Sequence, residues 1–404
     1  MAGRSRAVRW WCVGSALVAL VAMAVASGPA VAGADAVPES ITDWQQVDGG
    51  TAHTCGLTGA GRIYCWGSNG RGALGIGVWG GVRTTPTLAR GTKWAAVSAG
   101  DFTTCALKTT GRLFCWGADG SGQRGDGNGR KASPVPVQVA GGHTDWTSVS
   151  SGALTTCGIR SGRLFCWGAD TFGALGNGGR DVARNKPVEV AGGATNWASV
   201  SVGLFGACAR KTTGRVSCWG DDSHGASGDG GATVTATRRP SPVANGTTTW
   251  ASVTAGLGHR CATRTGGRLF CWGDSTQSAL GLPGQNPVDA NVPTEVTGGR
   301  TDWAEVAGGT SATCARTTAQ TIECWGDNSF RQLGDNSAFP FRAAPTPVAG
   351  GIADWVSVTA AEGYACAIRT GGALYCWGRN DLGQLGLGPA SGTPVVGVPT
   401  QVAP

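Results

Sequence analysis

From Trp44 onward, short apolar runs led by a tryptophan alternate with polar, glycine-rich stretches, and the alternation returns seven times at intervals of 50 to 53 residues. Each unit opens on a leading tryptophan (Trp44, Trp94, Trp146, Trp197, Trp250, Trp303 and Trp355) and runs on to a cysteine. Nine or ten residues later it reaches Cys-Trp-Gly, with Trp66, Trp116, Trp167, Trp219, Trp272, Trp325 and Trp377. A glycine-rich loop ending near a Pro-Val pair closes the unit. In the second unit this pattern predicts strands over 94–99, 105–108, 112–117 and 134–139, with no helical periodicity between them. Four short strands per unit, seven times over, specify an all-β fold, a seven-bladed β-propeller with about four antiparallel strands per blade. The repeats read as 42–91, 92–143, 144–194, 195–247, 248–300, 301–352 and 353–404, a single propeller over 35–404.

Composition agrees. Seventy glycines, 41% apolar and only 14% charged residues suit many tight turns around packed sheets and exclude a disordered chain. Residues 1–34 stand apart: Arg4, Arg6 and Arg9 precede an apolar run from Trp10 to Ser27, then small residues through Ala30-Val31-Ala32 and Ala34. That is the pattern of a secretory signal peptide. No other segment is long and apolar enough to span a bilayer, so the mature chain is expected to be secreted or at the cell surface, without a membrane span, and monomeric. The formal charge of +7, less three leader arginines, leaves +4, and no nucleic-acid module is recognisable.

Export changes the reading of the cysteines. Cys12 lies in the leader, and the other fourteen fall one pair to a repeat: Cys55 with Cys65, Cys105 with Cys115, Cys157 with Cys166, Cys208 with Cys218, Cys261 with Cys271, Cys314 with Cys324, and Cys366 with Cys376. An even count, paired within repeats of an exported chain, predicts disulfides. A three-residue hairpin loop sets such partners opposite and wants glycine in its third, left-handed position, where Gly61, Gly111, Gly214, Gly267 and Gly372 stand. The third repeat is one residue shorter, and its loop shrinks to Ser161-Gly162. The sixth departs, with Gln320 in that position. Each bridge closes a loop of about ten residues and contributes roughly 2.5 to 3 kcal/mol in the chain-entropy account. Zinc sites favour closely spaced, converging pairs, unlike these.

The run Cys105-Ala-Leu-Lys-Thr-Thr-Gly-Arg-Leu-Phe-Cys-Trp-Gly117, with Gly122-Gln123-Arg124-Gly125 after it and Gly383-Gln384-Leu385-Gly386 in the last repeat, resembles the repeat of the regulator of chromosome condensation family. The likeness is to its secreted bacterial, cysteine-paired form, and covers residues 42 to 404. It implies a seven-bladed propeller and no single activity, since the family includes a nuclear exchange factor, a plant ultraviolet receptor, ubiquitin-ligase modules and secreted β-lactamase inhibitory proteins. An export signal sets exchange on a nuclear GTPase aside, and the receptor's Gly-Trp-Arg-His-Thr context is absent.

No catalytic, metal or cofactor site is predicted. His53 and His259 occupy equivalent repeat positions and read as structural; His143 and His224 lie in loops without an obvious partner. Asp119, Asp126 and Asn128, and likewise Asp221, Asp222 and Asp229, miss the regular calcium-loop spacing and read as turn caps. Two surfaces are candidates for binding. Cations oppose one another across four consecutive hairpins (Lys108 with Arg112, Arg160 with Arg163, Lys211 with Arg215, Arg264 with Arg268), an arc suited to an anion unless neighbouring carboxylates neutralise it. On the opposite face, the long third-to-fourth-strand loops carry the aromatics Trp79, Phe172, Phe330, Phe339 and Phe341, suited to a protein. The expectation is a secreted non-catalytic protein-binding propeller, inhibiting or scaffolding an extracellular protein; the alternative is attachment to an anionic cell-envelope polymer through the basic face. Peptide mapping without reductant is expected to return seven bridges, each within one repeat; free thiols or bridges between repeats would overturn the pairing.

Overall fold

The computed structural model describes residues 41–231, 234–282, 288–389 and 392–403. The leader and Cys12 lie outside them. Among the described residues, 28 strands form seven four-stranded antiparallel sheets, each from consecutive strands. The second blade uses Trp94–Ala99, Thr103–Lys108, Leu113–Gly117 and Ser133–Gln138. First strands of neighbouring blades adjoin around the axis, and fourth strands lie outermost. Every outermost strand carries a proline, among them Pro86, Pro187, Pro293 and Pro399. An edge strand tolerates the missing N–H, and its loss blunts pairing with another sheet.

All seven predicted disulfides are formed, between cysteines directly opposite in register. The hairpin turns follow the expectation too. Gly61 has φ 67°, the shortened third turn has Ser161 at 47° and Gly162 at 71°, and Gln320 accepts φ 61° without disturbing its cysteines.

Both faces of each sheet are covered by its neighbours, so the core is seven seams. Cys55, Leu57, Ile63, Cys65 and Leu74 of the first blade pack on Trp94, Val97, Ala106 and Trp116 of the second. The seventh blade meets the first in the same way. Its four strands all come from Trp355–Gln401, so among the described residues the ring shuts by packing of complete blades, with no strand exchanged between chain ends. At that seam the Tyr364 hydroxyl donates to the His53 carbonyl at 2.9 Å.

One interaction recurs at every seam. The indole N–H of each Cys-Trp-Gly tryptophan donates to a loop carbonyl of the preceding blade: Trp66 to Gln384, Trp116 to Ala73, Trp167 to Gln123, Trp219 to Ala174, Trp272 to Ala226, Trp325 to Ala279 and Trp377 to Gln332, at 2.8 to 3.2 Å. The glycine two residues after the acceptor lies flat against the indole; a β-carbon on Gly75 would stand 2.6 Å from Trp116 Nε1. This is why the glycine-rich loop follows the tryptophan motif in every repeat.

Four seams add a second donor to the same carbonyl, from Thr54, Thr104, Thr156 or Thr313. At Trp219 the corresponding residue is Ala207, so among the described residues Ala174 receives the indole alone. Leaving a buried carbonyl unpaired costs about 1–3 kcal/mol. Trp219→Phe is therefore expected to lower the thermal unfolding midpoint further than Trp116→Phe, where Thr104 still serves Ala73; equal losses would contradict the shared-acceptor account.

Candidate functional site

The inner strands enclose an axial channel of about 510 Å³, which opens at the loop face into a mouth of about 320 Å³. The mouth is formed by the turns between first and second strands. Its collar is backbone: a β-carbon on Gly50, Gly100, Gly152 or Gly203 would collide with the carbonyl of the next blade's glycine. Side chains one and two residues beyond the collar decide its chemistry. In blades 3 to 5 Ala153, Leu204 and Leu257 line the mouth, and Phe102, Leu154 and Phe205 follow at the next position in blades 2 to 4. Phe102 is 43% and Leu154 38% exposed. Phe172 extends this apolar crescent, its ring edge-on to Phe205 at 5.6 Å. The crescent is flanked by acid, with Asp101 beside Phe102 in the second blade and Glu362 in the seventh, 3.5 Å from Arg379.

All of these crescent residues but Phe172 escaped the sequence reading because they occupy turns of the repeat itself. Aligning the seven turns, where Thr51, Asp101 and Glu362 face Leu204 and Leu257, exposes the asymmetry. The aromatics singled out earlier do not form one cluster. Trp79 projects from the first blade, 57% exposed; Phe330, Phe339 and Phe341 belong to the sixth, where Arg379 stacks on Phe330 and Arg342 on Phe339. Of the five, Phe172 alone reaches the crescent.

At the opposite end, the cations oppose one another in register as expected, Arg160 facing Arg163 and Lys108 N–H bonded to the Arg112 carbonyl. Their side chains divide. Lys108, Arg160, Lys211 and Arg264 fold onto the leading tryptophans Trp94, Trp146, Trp197 and Trp250, at 3.4 to 5.7 Å from the ring centroids. Arg163 and Arg268 pair with Glu189 and Glu295 on the outermost strands. In blades 2 and 4 Gln138 and Pro242 stand where those glutamates would, and Arg112 and Arg215 remain exposed without an acidic partner among the described residues. Neutralisation is thus alternate around the arc.

The loop histidines have partners the sequence did not disclose. His143 lies 3.4 Å from Arg160 and edge-on to Trp146, and His224 bonds Asp289 at 2.7 Å. Asp119 accepts the Arg124 N–H at 3.0 Å, the cap that Asn69, Asp170 and Asn328 supply in their own loops, and also pairs with the Arg124 guanidinium.

Two profiles described as Regulator of chromosome condensation (RCC1) repeat match the chain, one at residues 60–107, 161–209, 266–316 and 371–404, the other at 44–73, 94–123, 197–226 and 355–384. Together they cover more than half of it. The human probable E3 ubiquitin-protein ligase HERC6 is 32% identical over 226 residues, 55% of this chain and 21% of that protein. The human E3 ubiquitin-protein ligase HERC2 is 28% identical over 342 residues, 83% of this chain and 6% of that protein. The chain thus spans a small part of these relatives. Among solved structures, Prp20p of Saccharomyces cerevisiae, studied with its binding to Gsp1p and histones, superposes with a TM-score of 0.75 at 18% identity, covering 86% of this chain and 87% of that one. Human WBSCR16 superposes at 0.73 and 19% identity, covering 85% and 94%.

A hydroxyl ladder lines the channel. Ser98, Ser150, Ser201 and Thr254 each accept a backbone N–H from the next blade, at 2.9 to 3.1 Å. In the first blade the acceptor is a carboxylate: Asp48 takes the Ala99 N–H at 2.9 Å and the Thr359 hydroxyl at 3.4 Å. Enclosure pushes the Asp48 carboxyl up from 3.8 to about 6, outweighing these bonds. Burial drives the His53 and His259 imidazoles the opposite way, down to about 4. A carboxyl whose pKa is raised on folding adds stability below its unfolded value, lost as pH rises through the folded one. The histidines oppose this, since their contribution is lost as pH falls from 6.5 towards 4. Asp48→Ser keeps the acceptor used in three other blades and removes the carboxyl. Its unfolding midpoint relative to wild type is expected to rise between pH 4 and 6; a difference flat with pH would refute the assignment.

Proposed function

Since this chain belongs to the regulator of chromosome condensation (RCC1) repeat family, we propose that it is an exported protein-binding propeller whose docking site is the apolar crescent at the channel mouth. The crescent carries the reading. Phe102, Leu154, Leu204, Phe205 and Leu257 sit side by side on turns held backbone to backbone, and apolar side chains presented rigidly are the usual anchors of an interface. The acidic flank at Asp101 favours a partner segment with a Lys or Arg beside its hydrophobic anchor. Export is supported by the leader pattern and by seven disulfides, which persist in oxidising compartments. Inhibiting or scaffolding an extracellular protein is the role that fits a binding surface, and no step of chemistry is assigned to it.

A second reading, attachment to an anionic envelope polymer, rests on Arg112 and Arg215, the two arc cations held by neither a carboxylate nor an aromatic ring among the described residues. The two readings separate in one experiment. Immobilised wild-type protein, Phe102→Asp/Leu154→Asp and Arg112→Glu/Arg215→Glu are exposed to the secreted protein fraction and to isolated cell envelopes at low and high salt. Loss of a protein ligand by at least tenfold in the crescent variant alone supports the protein-binding reading. Salt-sensitive envelope binding lost only in the arginine variant would replace it with the polymer reading.

A further inference from the structure

The seam between the fourth and fifth blades departs from the repeat at several positions. Its indole bond, Trp272 to Ala226, is the longest at 3.2 Å. The threonine that reinforces four other seams is replaced by Arg260, which is 1% exposed, bonds only the Gly256 and His259 carbonyls, and leaves its Nε without an acceptor among the described residues. The inner strand of the fifth blade is Thr254–Ala255, two residues against six in the others. Ser227 stands where Leu74, Leu175 and Leu333 fill the core of other loops.

At this seam three metal-ligating side chains converge from both blades. His224 comes from the loop after the third strand of the fourth blade. Asp274 follows, and Asp289 precedes, strands of the fifth. Their ligand atoms all lie within 4.8 Å of one another. The far oxygens of the carboxylates are already held: Asp274 Oδ1 by the Thr276 N–H at 2.7 Å and Asp289 Oδ1 by the Ser275 N–H at 2.9 Å. That leaves Asp289 Oδ2 turned to the imidazole, as a second shell orients ligands. Gly258 makes the room; a β-carbon there would stand 2.9 Å from Asp274 Cβ. Asp221 adds a further negative field.

We propose that His224, Asp274 and Asp289 bind a divalent transition cation that clips the fourth blade to the fifth. One imidazole with two carboxylates is a donor set for Zn²⁺ or Mn²⁺ rather than for the all-oxygen cages of calcium, and the exposed position leaves water to complete the shell. A cation bridging two blades stabilises their seam, because it binds the folded ring alone.

The test uses the full mature chain, stripped with chelator and titrated calorimetrically with Zn²⁺, with unfolding midpoints recorded in parallel. One equivalent is expected to bind and to raise the midpoint. His224→Ala and Asp289→Asn, both at exposed positions, are expected to weaken binding at least tenfold and abolish the rise, while His143→Ala retains both. Amide exchange with Zn²⁺ is expected to slow at 254–263 ahead of the other blades. Absence of saturable binding, or unchanged binding in His224→Ala, overturns the site; binding that leaves the midpoint and exchange unmoved overturns the clip.

Discussion

The ring stands on the indole of the Cys-Trp-Gly tryptophan. A four-stranded sheet has two apolar faces and cannot cover either alone, so each blade is stable only against its neighbours. The tryptophan solves two problems of that contact together: its rings fill the seam, and its N–H satisfies a loop carbonyl that burial would otherwise leave unpaired. The acceptor must come close, which excludes a β-carbon two residues later. From one hydrogen bond follows the glycine that each loop places against the indole. The disulfide acts one level below, holding the hairpin that carries the tryptophan in register.

The division of charge follows from the same geometry. Each leading tryptophan ends a buried strand near the hairpin face, and its ring offers a surface to whatever the hairpin brings. Lys108 and Arg264 set their charged ends over it, which explains how opposed cations are tolerated there. The remaining charge is decided one strand further out, by Glu189 and Glu295 or by Gln138 and Pro242.

Much of this was legible in the chain because the repeat makes each statement seven times. Spacing between the cysteines predicted the hairpin register, including the shortened Ser161-Gly162 turn, and the observed strand ends in the second blade lie within two residues of those expected. What periodicity could not show was anything made by departures from it. Phe102, Leu204 and Leu257 look like ordinary turn residues until the seven turns are superposed around an axis. His224 and Asp289 are 65 residues apart and meet only because adjacent blades place their loops side by side. The cation–π contacts were hidden for another reason: a charge on a turn reads as solvated unless the ring beneath it is known.

The glycine collar at the mouth has a consequence for how such a surface diversifies. Because the turns interlock through main chain, the identity of the exposed residues that follow, such as Phe102 and Leu154, does not decide whether they hold. Such exposed positions are free to vary one at a time without loosening the ring, and a group mounted on an already frozen support forfeits little freedom on contact; Gly258 and Gly363, which lie against Asp274 and Phe330, are not among them. New recognition specificities are therefore accessible by single point changes, with the scaffold left as it is.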